Sequence, residues 1–386
     1  MLHLKTSHQF FFQMTNIITV TTQTCIDYLE RYKNDTYTAI PAELQTGVDL
    51  LAAGEVVSFP TETVYGLAAN ALDPAAVAKI YAAKNRPSDN PLIVHVSSLE
   101  MVHSLVTEIP PIYGALIQKF WPGPLTLLMP KSDAVPIIIT GTNVTVAVRL
   151  PGNFIARALI TACGFPLAAP SANTSGRPSP TTAAHVYSDL CGRIPLILDG
   201  GACESGLEST VIDAFTNWKV PAILRPGGIS LLQIRSVAGF ENCRVWGKQS
   251  GDLTYDNTGT ESMGPPQTPG MKYRHYSPDA LVILIEYCAS KQRQRGVVEE
   301  QIAKYSLMNL KVGLLHAETE CKSAADFQYF LGDSAIEVAK NLFAGMRHLE
   351  ALGSNVIVIE GISEDGTGLA VMNRATKAAS CIQSIN

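Results

Sequence analysis

The sequence predicts an α/β protein of two units, and three observations predict it. Apolar runs of strand length alternate with segments of helical periodicity along most of the chain. The 386 residues and 46% hydrophobic content are enough for two cores. Between about 247 and 270 the composition shifts to Gly, Thr, Asp, Asn and Pro with few aliphatic residues, as an inter-domain linker requires. The expected division is an N-terminal arm over 1–41, a first domain over 42–246, a linker over 247–278 and a smaller α/β domain over 279–386. Alternation alone does not fix the sheet order.

Thr15 to Pro41 carries a weak helical pattern around Ile26, Tyr28 and Leu29 and reads as a loosely attached arm. Leu44, Val48, Leu50 and Leu51 make the first amphipathic helix, closed by Gly54. Pro60 cannot extend the strand Val56–Phe59. Thr61, Glu62 and Thr63 are therefore expected on a strand-end turn with free side chains. A short helix is opened by Asp73 as N-cap and Pro74 as first residue, bears Val77, Ile80, Tyr81 and Lys84, and is stopped by Pro87.

The strand Leu92–Val96 leads to a helix capped by Ser97 or Ser98, then to a helix over Ile112–Phe120. Beyond the turn Pro122-Gly123-Pro124 come the strands Leu125–Met129 and Val144–Arg149, the second reading as buried on both faces. Helix Phe154–Cys163, strand Pro166–Ala169 and the loop Pro170–Pro180 follow. The first domain closes with strands Pro195–Leu198, Ser209–Ile212 and Ala222–Leu224 and a helix over Leu231–Val237. The second unit repeats the rhythm over Leu281–Ile285, Val298–Tyr305, Val312–Leu315, Ala335–Leu352, Val356–Ile359 and Leu369–Ile382, as in a three-layer, Rossmann-like α/β domain.

A net charge of -5 and a pI near 5.9 argue against a surface that grips nucleic acid by neutralising phosphates, so any RNA contact should be weak or transient. The eight cysteines are scattered, without a C-x-x-C pair or a Cys/His set at zinc spacing. That predicts a reducing, cytoplasmic setting and no metal held by the protein itself. No run is long enough to span a bilayer. Phe10-Phe11-Phe12 is too short for a signal core, residues 1–25 contain no arginine as a transit peptide would, and Met14 is a second candidate start.

No P-loop string occurs, so phosphates must be held on another scaffold. The available groups are Lys84, Arg86 and Ser88, the hydroxyls of Thr145, Ser171 and Ser179, the amide of Asn173, and Arg225 before Pro226-Gly227-Gly228. Lys84 and Arg86 also read as cations complementing a helix end, and the Ser/Asn loop as a turn held by its own side chains. Arg149, ending an apolar strand, needs a carboxylate: a salt bridge to Glu62 or Glu208, or a substrate carboxylate in a forked clamp. His95 reads as a core histidine or a substrate-facing one. Gly366-Thr367-Gly368 lacks the remaining glycine of a dinucleotide loop and reads as a turn opening the last helix.

The segments Ser58–Leu67, Lys84–His95, Ser171-Ala172-Asn173, Pro269–Tyr276 and Met372-Asn373-Arg374, in this order, resemble the motifs of the YrdC-type threonylcarbamoyl-AMP synthases in their long form with an extra C-terminal domain. The resemblance runs from about Ala42 to the C-terminus. It implies a YrdC-like twisted mixed sheet and synthesis of threonylcarbamoyl-AMP and pyrophosphate from L-threonine, bicarbonate and ATP. A downstream transferase complex would use the product to make threonylcarbamoyladenosine in tRNA. By matched position it implies Thr61, His95, Arg149, Ala169 and Ser209 around threonine. Around ATP it implies Lys84, Arg86, Ser88, Thr145, Ser171, Asn173, Ser179 and Arg225, with His275 and Tyr276.

The reaction implied needs alignment and charge stabilisation, so Lys84, Arg86 and His95 are expected to align substrates, with Mg2+ carried by ATP. Lys272, Tyr273, Arg274, His275 and Tyr276 are expected to fold back as a lid that excludes water. Two other readings share the fold. One is a non-enzymatic double-stranded RNA or tRNA binder. The other is a carbamoyl-transfer factor of hydrogenase maturation, whose zinc-finger cysteine pairs are missing here.

Overall fold

The computed structural model describes residues 14–35, 37–216, 220–246, 275–317 and 323–385. Most of the linker, with Lys272, Tyr273 and Arg274, lies outside the described residues. Two sheets organise the described residues. The first has eleven strands: β1 (Asn16–Thr19), β2 (Val57–Phe59), β3 (Gly66–Asn70), β4 (Ile93–His95), β5 (Leu125–Pro130), β6 (Thr145–Arg149), β7 (Leu167–Ala168), β8 (Leu196–Asp199), β9 (Thr210–Asp213), β10 (Ala222–Arg225) and β11 (Arg244–Val245). Their spatial order is β1-β8-β2-β3-β7-β4-β6-β5-β9-β10-β11, with parallel and antiparallel neighbours mixed. Side chains alternate between two cores: Leu67 and Ala69 of β3 face one, Ala68 the other, where Val57 and Phe59 of β2 also pack.

The described residues 14–35 of the segment expected as a loose arm pack on the first sheet. β1 pairs in parallel with β8, and helix Thr22–Tyr32 buries Cys25 and Tyr28 in the core shared with helix Phe154–Cys163. Covering the edge of β8 satisfies backbone groups that would otherwise lie open. The apolar run at Ile137–Thr140 forms one turn of helix after Pro136, where the carbonyls of Ile138 and Ile139 accept hydrogen bonds from the Tyr81 hydroxyl and the Leu92 amide.

The second sheet is wholly parallel: β12 (Leu281–Ile285), β13 (Val312–His316), β14 (Phe327–Phe330), β15 (Val356–Glu360) and β16 (Cys381–Gln383), in the order β14-β13-β15-β12-β16. Alternation along β12 again makes the layers. Ile283 and Ile285 pack with helix Lys291–Ser306, and Val282 and Leu284 with helices Ala335–Ala351 and Gly368–Ala378. The last helix opens after the 366–367 turn and ends at Ala378, so the final apolar stretch is a strand rather than more helix. Val64 and Leu207 of the first domain join the core of the second.

Candidate active site

Strand register builds the site. In the parallel pair β4 and β6, His95 lies opposite Arg149, and Arg149 lies opposite Thr126 on β5. β9 runs parallel to β5 and begins just after Ser209. Four strands thus bring His95, Arg149, Thr126 and Ser209 to one rim, and the turn after β2 closes over it.

The turn stands where Pro60 predicts it, but its side chains are not free. Thr61 Oγ1 donates to the Val64 carbonyl at 2.7 Å, accepts from the Thr63 amide at 3.1 Å and lies 2.8 Å from Thr63 Oγ1. Buried hydroxyls require such partners. Glu62 is the carboxylate that Arg149 needs, with Arg149 Nη2 2.7 Å from Glu62 Oε1 and Arg149 Nη1 donating to Thr63 Oγ1 at 3.0 Å. Burial alone would raise the Glu62 carboxyl, but Arg149 and backbone amides outweigh it and keep its pKa below the ordinary value. His95 packs edge-on against Phe59, ring centroids 6.2 Å apart. Burial, then the nearby Arg149 charge, lower its pKa to about 3, so its ring is neutral at physiological pH.

A cavity of about 60 Å³ opens on this rim. Thr61, His95, Arg149, Ala169 and Ser209 all line it, and so do Arg86, Ser171, Arg225, His275 and Tyr276. Arg225 is locked to Ser209, donating to its carbonyl at 2.9 and 3.1 Å and to its hydroxyl at 3.0 Å. Arg86 donates to the carbonyls of Asn90 and Pro91. Burial lowers its pKa to about 10, which leaves it a cation.

Five of the expected phosphate ligands are not among the lining residues. Lys84 is the last residue of its helix, which Asn85 ends in the left-handed conformation. Its Nζ donates to the carbonyls of Ser171 and Asn173, and its own carbonyl accepts from Ser175 at 2.8 Å. Lys84 therefore ties the Pro170–Pro180 loop to the helix, and burial holds its pKa well below the usual lysine value. Asn173 donates to Thr174 and Arg177 carbonyls within that loop, as a self-held turn does. Ser179 donates to Glu208 Oε1 at 2.6 Å. Ser88 is exposed, and Thr145 stands at the opposite end of β6 from Arg149, about 13 Å along the strand.

The second domain reaches the same place. Tyr276, at φ 67°, stacks on Phe343 with centroids 5.2 Å apart, and the Arg374 guanidinium lies 5.7 Å from its ring centre. His275 beside it is kept neutral, its pKa lowered by burial to about 4. Sequence reading did not single out Glu208 as a lining residue or Arg374 as its partner. The signals were a carboxylate heading an apolar strand and an arginine inside an otherwise apolar helix face.

Two family models cover this chain: Sua5_yciO_yrdC, described as telomere recombination, over residues 49–227, and the threonylcarbamoyl-AMP synthase C-terminal domain over residues 229–380. The threonylcarbamoyl-AMP synthase of Pyrococcus abyssi is 47% identical over 339 residues, spanning 87% of this chain and 94% of that protein. The chain belongs to the threonylcarbamoyl-AMP synthase family. The Schizosaccharomyces pombe synthase is 46% identical over 84% of this chain and 85% of its own length. The crystal structure of P. abyssi Sua5 complexed with L-threonine superposes with a TM-score of 0.82 at 43% identity, covering 96% of this chain and all of that one. In this synthase-family chain the mixed sheet and the separate parallel-sheet domain are thus those of the family.

Proposed function

We propose that this chain is an L-threonylcarbamoyladenylate synthase, a nucleotidyltransferase that makes threonylcarbamoyl-AMP and pyrophosphate from L-threonine, bicarbonate and ATP. The observation that carries the reading is one enclosure lined by three arginines, Arg149, Arg86 and Arg225, cations of the kind that hold an amino-acid carboxylate and phosphate oxygens. Relatives carrying this name along most of their length, and a related structure complexed with L-threonine, support it.

In the proposed reaction, the amine of threonine, once deprotonated, takes up bicarbonate with loss of water to give a carbamate. A carbamate oxygen then attacks the α-phosphorus, and the bond to the leaving pyrophosphate breaks. The nucleophile is already anionic, so the protein's task is alignment and charge stabilisation. Arg149, oriented by Glu62 and Thr63, holds the carboxylate. Neutral His95 positions the threonine or its carbamate and is not assigned as a general base. Arg86 and Arg225 face the phosphates. Lys84, through the loop it ties, sets the Ser171 edge. His275 and Tyr276 line the cavity where a lid would exclude water from the mixed anhydride.

Mg2+, which would arrive with ATP, would supply neutralisation of phosphate charge. Its ligands would be mainly phosphate oxygens and water. The product would pass to a separate transferase that modifies tRNA. Cytoplasmic placement belongs to the same proposal; among the described residues, no helix is long and apolar enough to cross a membrane.

The test is pyrophosphate release from ATP, measured with and without L-threonine and bicarbonate. Release that needs both is expected. Release indifferent to threonine would overturn the reading.

A further inference from the structure

We propose that Arg374, contributed by the second domain, is a positioning residue of the cavity: it fixes the Glu208 carboxylate and, through it, Ser179 and the rim formed by Ser209 and Arg225. The inference rests on the function proposed above and adds a residue that reading does not use.

Arg374 is fully buried, the largest side chain in the described structure to be so. Its Nε donates to Glu208 Oε2 at 2.9 Å, and its Nη1 donates to the Pro226 carbonyl and to Asn373 Oδ1. The other Glu208 oxygen accepts from Ser179 at 2.6 Å. Glu208 lines the cavity, and the next residue, Ser209, is the one that holds Arg225. A Cβ at Gly227 would lie 2.4 Å from the Glu208 carbonyl oxygen, so the 226–228 turn that Arg374 grips is packed directly on the Glu208 backbone. Helix Gly368–Ala378 thereby reaches the rim through one unbroken line of buried polar groups.

A buried ion pair is a poor device for stability alone, because desolvating both charges offsets most of their attraction. Fixing a carboxylate and a guanidinium at a site that must align substrates is a use that apolar packing cannot replace. The charged and titratable groups facing Glu208 are Arg374 and Lys377 on that helix, Arg225 on β10, and His275 and Tyr276 at the linker end. Burial pushes the Glu208 carboxyl up; Arg374 first, then Arg225 and the Ser179 hydrogen bond, bring it below the ordinary value. Without Arg374 burial dominates, and Glu208 takes up a proton at higher pH.

The experiment uses the full chain with Arg374→Gln, Glu208→Gln and both together. It follows threonine-dependent pyrophosphate release from about pH 5.5 to about pH 9, and ATP affinity without threonine by calorimetry. Arg374→Gln is expected to lower kcat/KM for ATP on the order of 10- to 100-fold, to weaken ATP affinity, and to leave KM for threonine within about threefold. It should also give the rate profile a new acid limb, which adding Glu208→Gln removes with partial recovery of rate. Equal loss at every pH without recovery in the double variant, or unchanged ATP affinity in Arg374→Gln, would overturn the inference. Weakened ATP affinity in that variant, with a wild type whose release ignores threonine, would sink the proposed function alone. A wild type that binds no ATP would sink both.

Discussion

The Arg149 end of the cavity is held within one sheet, by Glu62, Thr63 and the register of β4 and β6, whereas the Glu208 end is held across two domains, by Arg374 and Tyr276 with Phe343 behind it. A rim made by strand ends of one sheet is set once that sheet forms. A rim made across a seam is set only when the domains are seated, so the two ends should respond differently to the same kind of damage.

The largest separation should come from Arg149→Ala. It is expected to lower kcat/KM for threonine by about 100-fold or more, while ATP affinity moves by less than about threefold. It also leaves Glu62 buried and unpaired, at a cost of about 3 kcal/mol in denaturant unfolding. An equal loss at both substrates would erase the distinction between the ends. Tyr276→Ala removes the stack on Phe343 from the other end and should reduce turnover about tenfold, chiefly at limiting ATP. Wild-type turnover in that variant would remove the lid.

Acidification should weaken both ends through stability. Burial lowers the pKa of His95 to about 3 and of His185 and His275 to about 4, from an ordinary 6.5. The unfolded chain therefore binds protons first as pH falls. Their contribution is complete above about pH 6.5 and is lost below it, by at most ~1.4 kcal/mol per pH unit for each histidine. The melting temperature should fall between about pH 7 and about pH 5, and less steeply in His95→Asn. A flat profile would refute neutral burial. The smallest effect is expected from Arg177→Ala. Arg177 bridges Asp189 of the first domain to Asp279 and Glu350 at the seam, but it is 25% exposed. A loss within about 1 kcal/mol that shrinks at high salt is expected, and a larger one would make the seam electrostatic rather than apolar.

The contrast also explains what was legible in the sequence. Pro60 ending an apolar strand fixes the turn at Thr61–Thr63 locally, and Arg149 on a buried strand demands a carboxylate wherever the chain goes, so the one-sheet end could be read. Lys84 could not. A cation at a helix end points equally well to a phosphate or to loop carbonyls, and only the fold brings Ser171 and Asn173 to it. β1 escaped because it is an edge strand, mostly exposed, and lacks the alternation that marks a half-buried one. The Arg374 pairing joins groups 166 residues apart, so each partner marks its own segment but nothing local pairs one with the other.

Gly206 has a φ of 71°, and a Cβ there would lie 2.3 Å from the Lys340 carbonyl, which is how closely the two domains meet beside Leu207. During synthesis on the ribosome, the first domain is complete long before helix Ala335–Ala351 emerges. Through that interval Val64 and Leu207 wait uncovered, so a chain cut after Val245 should be made in normal amounts yet collect in the insoluble fraction.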